Sequence, residues 1–386
     1  MTPQFEFHIG YFDHLHPEPS INFQLNRWIN YLGQDVYEDF KAISSKLTDI
    51  SSYQNEFKTL AEKALEKCKK LQAAYYFRSA EFFMEKDNPD KEETRQKFLQ
   101  LIRDYFNISS NDCYKIPYIQ NGKKGVLPAY RFIHDKPKNT IIIHGGFDSY
   151  IEEFFPIIFF IRDQGFNIIC FDGPGQGGAF HDFGLLLTHE WHHPVGSILD
   201  FFKLNDVTLI GISMGACLAL RAAAFDKRIK QVVAYDVFYD WMDTTLSKLA
   251  PLDIVLRALL RVNSQKLFNN LLNFFMKKSP LFDWAMHQAM PILGVSNAYE
   301  VFQKSKHFTT RDVSSMIDQH VLIMAGAEDH IIPLKHFYRQ INDLNNARSI
   351  SSRLFTRMEN AHNHCQIGNL KLAIETIIKW IESTSS

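Results

Sequence analysis

The stretch Val207–Ala224 constrains the fold of this chain more than any other part of it. Val207–Ile210 is a short aliphatic run that predicts a buried strand, and Ala216–Ala224 is rich in small helix formers. Between them, Gly211-Ile212-Ser213-Met214-Gly215 matches G-x-S-x-G, a sharp turn that holds the serine in a strained conformation with its hydroxyl clear of the sheet. Glycines flank the turn because side chains there would collide with neighbouring backbone. We therefore predict that Ser213 is a nucleophile; the alternative is an ordinary serine in a tight strand–helix turn.

The acid and the base that a serine nucleophile needs are expected downstream of it. A base activates the serine hydroxyl, and an acid orients that base. Val321–Gly326 predicts another buried strand, and Asp329 lies in the turn after it, so we expect Asp329 to be the acid, with Glu328 as the alternative. A solvated turn acid is the structural alternative for both. The loop after the last predicted strand offers His362 and His364 as the base.

Two backbone N–H groups are expected to stabilise the oxyanion that forms during acyl transfer. One belongs to Met214, directly after the serine, at the start of a helix whose positive end faces the site. The other should come from the turn after the aliphatic strand that begins at Thr140, where we nominate Gly146 and keep Phe147 as the alternative. A plain Gly-Gly turn at the end of a strand would have no such role.

Strands and helices alternate through much of the chain, which predicts an α/β fold with a doubly wound, mostly parallel sheet. Residues 21–106 show helical periodicity and no good strand, so we predict an N-terminal helical lid domain over residues 1–115. Residues 116–386 are predicted to form the catalytic domain. Within it, a long helical insertion at about residues 240–319 interrupts the alternation before the acid strand. We expect this insertion and the N-terminal helices to cover the carboxyl ends of the strands.

Composition excludes several classes of partner. The formal net charge of −1 gives no basis for binding nucleic acid or an anionic membrane, and no apolar run approaches the roughly 20 residues of a membrane helix. Five scattered cysteines without a C-x-x-C pair predict neither a disulfide framework nor a zinc knuckle, and they suit a reducing cytoplasm. The first residues show no signal-peptide pattern. We expect a small-molecule substrate as the partner, and composition leaves a homodimer open.

Two motifs resemble ligand sites but lack the required context. Asp172-Gly173-Pro174-Gly175-Gln176-Gly177-Gly178 is glycine-rich, yet it has no Lys-Ser/Thr and opens no regular G-x-G-x-x-G helix, so we predict a rigid loop beside the site rather than a nucleotide-binding loop. His189-Glu190-Trp191-His192-His193 fits H-E-x-x-H, which binds zinc only when both histidines lie on one face of a helix. Pro194 biases His193 away from helix and predicts that a helix begins at Pro194. We predict no metal and no cofactor.

Several segments together resemble one group of α/β-hydrolases, which includes dihydroxypseudooxynicotine hydrolase, the fungal polyketide-shortening hydrolases and the fermentation–respiration switch (esterase) proteins. The segments that carry this likeness lie between about residues 115 and 386; they are His144–Ser149 with Glu152-Glu153, Asp172–Gly177, Gly211–Ala216, Trp284–Gly294, Ala325–Asp329 and His364–Asn369. In this group the triad histidine precedes Cys-Gln-x-Gly-Asn, so the resemblance implies His364, rather than His362, as the base. Phe147 replaces the usual leucine after Gly-Gly, and the shape of the acyl pocket therefore does not follow from the resemblance.

The resemblance implies a serine hydrolase with the α/β-hydrolase fold, the triad Ser213, Asp329 and His364, and the N-terminal helices as a lid. Some members of the group cleave carbon–carbon bonds next to a ketone and others are esterases, so we expect a small acyl or β-diketone-like substrate. A carbon leaving group needs a further polar group or proton donor, for which Asp236 and Asp240 are auxiliary candidates; the alternative is that both are ordinary turn acids. The competing functions are a carboxylesterase or thioesterase and a non-catalytic binding protein on the same fold.

Overall fold

One eight-stranded sheet organises the part of the chain that the computed structural model describes, which is residues 5–147 and 149–385. Residues 1–4 and Asp148, a member of the motif His144–Ser149, lie outside this part. The strands are β1 (Cys113–Gln120), β2 (Lys123–Phe132), β3 (Thr140–His144), β4 (Asn167–Phe171), β5 (Val207–Ile212), β6 (Ile229–Tyr235), β7 (His320–Gly326) and β8 (Ser349–Phe355). Their spatial order is β1-β2-β4-β3-β5-β6-β7-β8; β2 is antiparallel to both of its neighbours, and all other pairs are parallel. The predicted doubly wound, mostly parallel sheet is confirmed.

Helices pack on the faces of this sheet and over the carboxyl ends of its parallel strands. In chain order they are α1 (Pro19–Leu32), α2 (Tyr37–Ser44), α3 (Ile50–Glu66), α4 (Lys70–Phe82), α5 (Lys91–Tyr105), α6 (Phe155–Asp163), α7 (Gly177–His181), α8 (His192–Phe202), α9 (Met214–Phe225), α10 (Trp241–Ser247), α11 (Asp253–Arg261), α12 (Gln265–Met276), α13 (Pro280–Leu293), α14 (Ala298–Ser305), α15 (Lys335–Asp343) and α16 (Leu370–Thr384). Helices α1 to α5 precede the sheet in the chain, and α10 to α14 form the insertion between β6 and β7.

Burial along the strands explains their sequence patterns. Every residue of β5 is buried, and so are the last four residues of β3, which fits the predominantly aliphatic sequences of both strands. The outer strands β1 and β8 instead alternate between more and less exposed residues over most of their length, as expected for strands with one solvated face. The inner parallel strands therefore form the rigid part of the fold from which the site is built.

The parallel register brings the ends of several strands to one edge of the sheet. His144 at the end of β3 pairs with Gly211 of β5, and Ile212 at the end of β5 pairs with Tyr235 at the end of β6. Strand β6 is in turn aligned with β7. Residues that directly follow β3, β5, β6 and β7 consequently meet at this carboxyl edge, which is where open α/β sheets bind their ligands.

Helix α8 begins at His192, two residues before the predicted start at Pro194, so the prediction of its first residue is wrong. Pro194 lies in the first helical turn, where its missing N–H costs no hydrogen bond because N–H groups there have no partner within the helix. His189 lies outside the helix, and its ring stacks on His307 with 5.0 Å between the centroids. The two end histidines of H-E-x-x-H therefore do not share a helical face.

The N-terminal helices are joined to the sheet and to the insertion by packing and by buried charge. They share one contiguous hydrophobic core with a face of the sheet. Glu153, which is completely buried, accepts a hydrogen bond of 2.9 Å from Arg78 Nε and also pairs with Arg27. Phe82 of α4 stacks on Trp284 of α13, with 4.9 Å between ring centroids. The helices before the sheet are thus fixed to both of the elements that they contact.

The pairing of the cysteines and the apolar character of the helices can both be described from the structure. Within the described residues all five cysteines are unpaired, and Cys68 and Cys113 are exposed. In the same part of the chain, no helix reaches the combination of length and apolar character that a membrane span requires.

Candidate active site

Ser213 occupies the turn between β5 and α9 with a strained backbone. Its φ of 59° and ψ of −126° lie in a region that residues other than glycine rarely adopt. A Cβ at Gly211 would lie 2.0 Å from the carbonyl oxygen of Gly215, and a Cβ at Gly215 would lie 2.4 Å from that of Gly145. The Ser213 N–H donates to the Tyr235 carbonyl at 2.7 Å. Glycine at both flanking positions therefore permits the turn that holds the hydroxyl at the carboxyl edge.

A chain of hydrogen bonds connects Ser213 to two further side chains. Ser213 Oγ lies 2.8 Å from His364 Nε2, and His364 Nδ1 lies 2.7 Å from Asp329 Oδ2. The other oxygen of Asp329 accepts the N–H groups of Ile331 at 2.6 Å and Ile332 at 3.0 Å, which orients the carboxylate. The structure thus brings together the predicted nucleophile, base and acid, joined by the two hydrogen bonds that a serine triad requires.

A second carboxyl group reaches the same histidine. Asp236 Oδ2 lies 3.2 Å from His364 Nδ1 and accepts the Cys365 N–H at 2.6 Å. Asp236 is 1% exposed, and no donor among the described residues reaches its Oδ1. Because it contacts Nδ1, Asp236 lies on the side of the imidazole away from Ser213. The sequence analysis named Asp236 as a further polar group or proton donor for a carbon leaving group, and that role stays a prediction.

Burial and neighbouring charges shift the pKa values of His364, Asp329 and Asp236 in different directions. Burial alone would lower the pKa of His364, but the Asp329 carboxylate outweighs it and raises that pKa well above 6.5. Burial opposes ionisation of Asp329 as well, yet His364 overrides it and holds the pKa of Asp329 well below its usual range. Burial, reinforced by the charge of Asp329, raises the pKa of Asp236 to about 7. Asp329 is therefore the ionised acid, and Asp236 keeps its proton until about pH 7.

The turn after β3 lies directly against the nucleophile turn. A Cβ at Gly146 would lie 2.8 Å from the Ile212 carbonyl oxygen and 3.0 Å from the Met214 nitrogen, so only glycine allows this approach. The N–H groups of Gly146 and Phe147 find no acceptor among the described residues. The predicted oxyanion donors Met214 and Gly146 consequently lie side by side next to Ser213, with the alternative, Phe147, following directly.

Gln176 braces this turn, a role that the sequence analysis missed. Its Nε2 donates to the carbonyl oxygens of Gly145 at 2.7 Å and Gly146 at 2.9 Å, while its Oε1 accepts the Gly173 N–H at 3.0 Å. Because Gln176 holds both carbonyl groups, the N–H groups of the turn remain available on the side that faces Ser213. The available signal was the position of Gln176 in the glycine-rich loop after β4.

A cavity with a volume of about 630 Å³ adjoins Ser213. Helices of the N-terminal part contribute Phe23 and Phe82 to its lining, and helices of the insertion contribute Trp241 and Trp284. A cavity of this size and apolar character suits a compact organic molecule rather than a polymer.

Lys248 and His330 are two of the basic side chains that line this cavity, and no motif marks either of them in the sequence. Lys248 caps the carboxyl end of α10, and His330 directly follows Asp329. The His330 ring packs on Phe23 with 4.6 Å between centroids, and burial lowers its pKa to about 4, which keeps the ring neutral. Lys248 is therefore a cation close to the triad that sequence reasoning did not identify.

The other candidates from the sequence lie elsewhere. Asp240 accepts the Asp243 N–H at 2.7 Å as the N-cap of α10 and does not line the cavity, so the auxiliary role predicted for it has no support in the structure. Glu328, the alternative acid, is paired with Arg357 at 3.0 Å. His362, the alternative base, has its Nε2 3.1 Å from the side-chain amide of the next residue. None of the three bonds to Ser213 or His364 within the described residues.

One group of side chains in the described part of the chain is close enough to hold a metal ion. The ligand atoms of Asp236, His364 and Cys365 lie within 4.8 Å of one another. However, His364 Nδ1 already bonds Asp329, and Asp236 already accepts the Cys365 N–H. A metal here would displace the proton on His364 Nδ1, so the arrangement favours proton transfer over metal binding.

Comparison with known proteins relates most of the sheet to one family. A model of the alpha/beta hydrolase fold matches residues 139–363, more than half of the 386 residues. The hydrolyase ccsE of Aspergillus clavatus is 29% identical over 216 residues, which cover 51% of this chain and 48% of that protein. The hydrolase acrC of Aspergillus aculeatus is 26% identical over 289 residues, which cover 67% of this chain and 66% of that protein. The chain thus spans about half to two thirds of the length of these curated relatives.

Solved structures share the fold over a larger part of the chain. The crystal structure of the 2,6-dihydroxy-pseudo-oxynicotine hydrolase superposes with a TM-score of 0.59 at 20% identity and covers 87% of each chain. Wild-type AbyA5 superposes with a TM-score of 0.65 at 15% identity, covering 94% of this chain and 95% of its own. At these identities the likeness establishes the fold, and the chemistry has to be argued from the site.

Proposed function

Because the chain belongs to the α/β-hydrolase fold family, we propose that it is a serine hydrolase that transfers an acyl group from a small substrate to water. One observation carries this proposal: an unbroken line of hydrogen bonds runs from Ser213 through His364 to Asp329 beside a cavity of substrate size. The strained backbone of Ser213 supports it further, since such strain is retained where it serves a function.

Acylation begins when His364 Nε2 removes the Ser213 hydroxyl proton while Oγ attacks a carbonyl carbon of the substrate. The N–H groups of Met214 and Gly146 bind the resulting oxyanion, and Asp329 stabilises the imidazolium. The tetrahedral intermediate then collapses, the bond to the leaving group breaks, and the leaving group takes the proton from His364. An acyl group remains on Ser213 Oγ.

Deacylation repeats these steps with water as the nucleophile. His364 takes a proton from water as the hydroxide attacks the acyl carbon, and the proton returns to Ser213 Oγ when the carboxylic acid leaves. With an ester the first product is an alcohol. With a β-diketone, a carbon–carbon bond breaks, its electron pair forms an enolate, and His364 supplies the proton that completes a ketone.

The aromatic walls of the cavity support a compact acyl or β-diketone-like substrate. Phe82 and Trp284, from two different parts of the chain, stack on each other in its wall, and this closed aromatic lining leaves little space for long or branched polymers. Because the same triad serves both reactions, a carboxylesterase or thioesterase is the alternative. Rates for a β-diketone and for an ester of equal size discriminate between them.

A serine-directed fluorophosphonate tests the proposal directly. Mass spectrometry should find the adduct on Ser213 alone, and both labelling and turnover should fall by about 10⁴-fold in Ser213→Ala, the loss typical of serine triads. His364→Ala should be silenced to a similar degree. A wild-type protein that takes up no label would instead be a non-catalytic binding protein.

Control variants show whether a loss of activity is specific to the proposed catalytic residues. Ser110 is exposed and His362 lies outside the hydrogen-bond line, so Ser110→Ala and His362→Ala should retain most activity. Activity lost in His362→Ala but kept in His364→Ala would reassign the base. Turnover above about a tenth of the wild-type rate in Ser213→Ala would remove Ser213 as the nucleophile.

The thiols support a proposal about compartment. Exposed Cys68 and Cys113 stay unpaired within the described residues, which fits a reducing environment such as the cytoplasm. Fractionation of cells that express the chain under its own promoter would test this placement.

A further inference from the structure

Basic residues are concentrated in one part of the insertion. Residues 248–278 contain six lysines and arginines and a single acidic residue, Asp253, and the next acidic residue in the chain is Asp283. This stretch therefore carries a formal charge of +5, whereas the whole chain carries −1. The net charge predicts no membrane partner, but it averages over this difference, and a partner at this surface meets the local charge.

Helices α11 and α12 hold most of this charge at the surface of the molecule. They contact each other and are joined by a turn of three residues, 262–264. We call residues 253–278, which are the two helices, this turn and the two lysines after α12, the cationic helix pair. Within it, Arg257 pairs with Asp243 at 2.8 Å. Four other basic residues are exposed and pair with no carboxylate in the described part of the chain; they are Arg261, Lys266, Lys277 and Lys278.

The cationic helix pair also exposes large apolar side chains. Val255 and Val262 lie seven residues apart, which is about two helical turns and therefore one face. Leu267 and Phe274 have the same separation. These four side chains and Ile254 are between 46% and 71% exposed, and they are five of the fourteen large hydrophobic side chains that are exposed within the described residues. Such side chains are ordinary when scattered singly, so their concentration in so short a stretch indicates a binding surface.

The opposite sides of the two helices are packed against the rest of the insertion, where Leu256, Leu260, Phe268 and Leu272 are buried. The exposed apolar residues are therefore not needed to hold the helices in place. The pair also borders the cavity beside Ser213, because Phe275 and Lys278 near its end line that cavity. A partner bound to the exposed face would consequently lie close to the candidate active site.

Charge and apolar exposure together select among the possible partners. A second copy bound through the same face would place two surfaces of like charge against each other, which is unfavourable. Nucleic acid would neutralise the charge, but its phosphate backbone gives exposed aliphatic side chains nothing to pack on. The surface of an anionic bilayer satisfies both features, because acidic headgroups attract lysine and arginine while the boundary with the acyl chains takes up apolar side chains.

We propose that the cationic helix pair binds the surface of an anionic lipid bilayer, with Val262 and Leu267 entering the boundary between headgroups and acyl chains. A helix bound in this way lies in the plane of the interface and does not cross the bilayer. This agrees with the described helices, none of which is long and apolar enough to span a membrane. Attachment is independent of turnover at Ser213, so Ser213→Ala should bind vesicles as the wild-type protein does.

Sedimentation of the full chain with lipid vesicles measures this attachment. One set of vesicles is phosphatidylcholine alone, and the other is phosphatidylcholine with phosphatidylserine at a ratio of about 7:3. The partition coefficient should be at least about tenfold higher for the anionic vesicles, and it should fall in about 0.5 M NaCl because salt screens the attraction. No binding to the anionic vesicles, or equal binding to both sets, would overturn the proposal.

Two double variants test the charged and the apolar side chains separately. Lys266→Gln with Lys277→Gln removes two charges, and Val262→Ser with Leu267→Ser removes two apolar side chains. Each should lower the partition onto anionic vesicles at least about tenfold. All four side chains are exposed, so thermal unfolding should show an intact fold. Wild-type binding by either folded double variant would contradict the proposal.

A matched control and the rival partners complete the experiment. Lys67→Gln with Lys70→Gln removes two exposed lysines at the junction of α3 and α4, so it should bind as wild type. If this control lost binding as fully as Lys266→Gln with Lys277→Gln, general electrostatics would be responsible and the proposal would fail. A dimer in sedimentation velocity that Val262→Asp dissociates, together with no vesicle binding, would assign the face to a second copy. Tighter binding to duplex DNA than to anionic vesicles would assign it to nucleic acid.

Discussion

At the residue scale, two carboxyl groups within reach of one imidazole differ in their state of ionisation. Asp329 Oδ2 lies 2.7 Å and Asp236 Oδ2 lies 3.2 Å from His364 Nδ1. Two like charges so close in a buried site cannot both ionise readily, so Asp236 keeps a proton to about pH 7 while Asp329 stays charged. Asp236 therefore acts on His364 as a positioning residue. It adds a negative charge next to His364 Nδ1 only when the pH rises above about 7.

This arrangement makes a prediction for the pH profile of kcat/KM. Only neutral His364 can accept the serine proton, and the carboxylate of Asp329 raises its pKa, so the rate should fall on acidification with a midpoint above pH 6.5. In Asp236→Asn the second group stays neutral, and the midpoint should move to lower pH. The measurement needs a substrate without a titrating group between pH 4 and 9. A profile that stays flat down to about pH 4 would contradict a histidine base.

At the element scale, buried charge joins α1 and α4 to the segment after β3. Glu153 is completely buried, Arg78 is 2% exposed on its side chain, and both Arg78 and Arg27 pair with Glu153. The Tyr75 hydroxyl donates to the Glu153 carbonyl at 2.8 Å. Ion pairs of this kind are sensitive to the loss of one member, because the remaining charge stays buried.

We therefore predict that Glu153→Gln lowers the free energy of unfolding by about 3 kcal/mol or more, measured by urea denaturation. The matched control is Glu93→Gln, which removes a carboxylate from an exposed pair with Lys97 on α5. Exposed pairs contribute about 1 kcal/mol at most, so this variant should remain close to wild type. Equal, small effects in both variants would show that Glu153 is dispensable for joining the helices to the sheet.

At the scale of the whole molecule, the N-terminal helices and the insertion cover the same cavity. Both line it, and both are fixed in place, the former through a hydrophobic core shared with the sheet. Covering the site excludes water and strengthens the interactions with the oxyanion. In this structure, the helices that the sequence analysis predicted to form a lid line the cavity and share a hydrophobic core with the sheet.

Deleting residues 1–112 should consequently expose apolar surface and abolish activity toward the natural substrate. The truncated chain would lose one side of the cavity together with the core that it shares with the sheet. Solubility, dye binding to exposed apolar surface and kcat/KM provide the measurements. A truncated protein that stays soluble with full kcat/KM would show that the helices are an accessory domain.

The features that the sequence by itself determined are local ones. Gly211, Ser213 and Gly215 specify a strand–turn–helix through steric effects that span a few residues. Continuous aliphatic runs predicted the inner strands, and their alternation with helices predicted the parallel sheet. The candidate acid Asp329 and the candidate base His364 were assigned to loops that the structure brings together, because residues that follow parallel strands meet at one edge.

Only the tertiary structure decided which side chains converge there. Asp236 and His364 are far apart in the chain, and their contact depends on the register of β6, the left-handed φ of 43° at Asp236 and the path of the last loop. Lys248 belongs to an insertion without a motif, and its position beside the cavity follows from how α10 packs. Convergence of this kind arises from long-range packing, which fixes distances of a few ångströms that no spacing along the chain encodes.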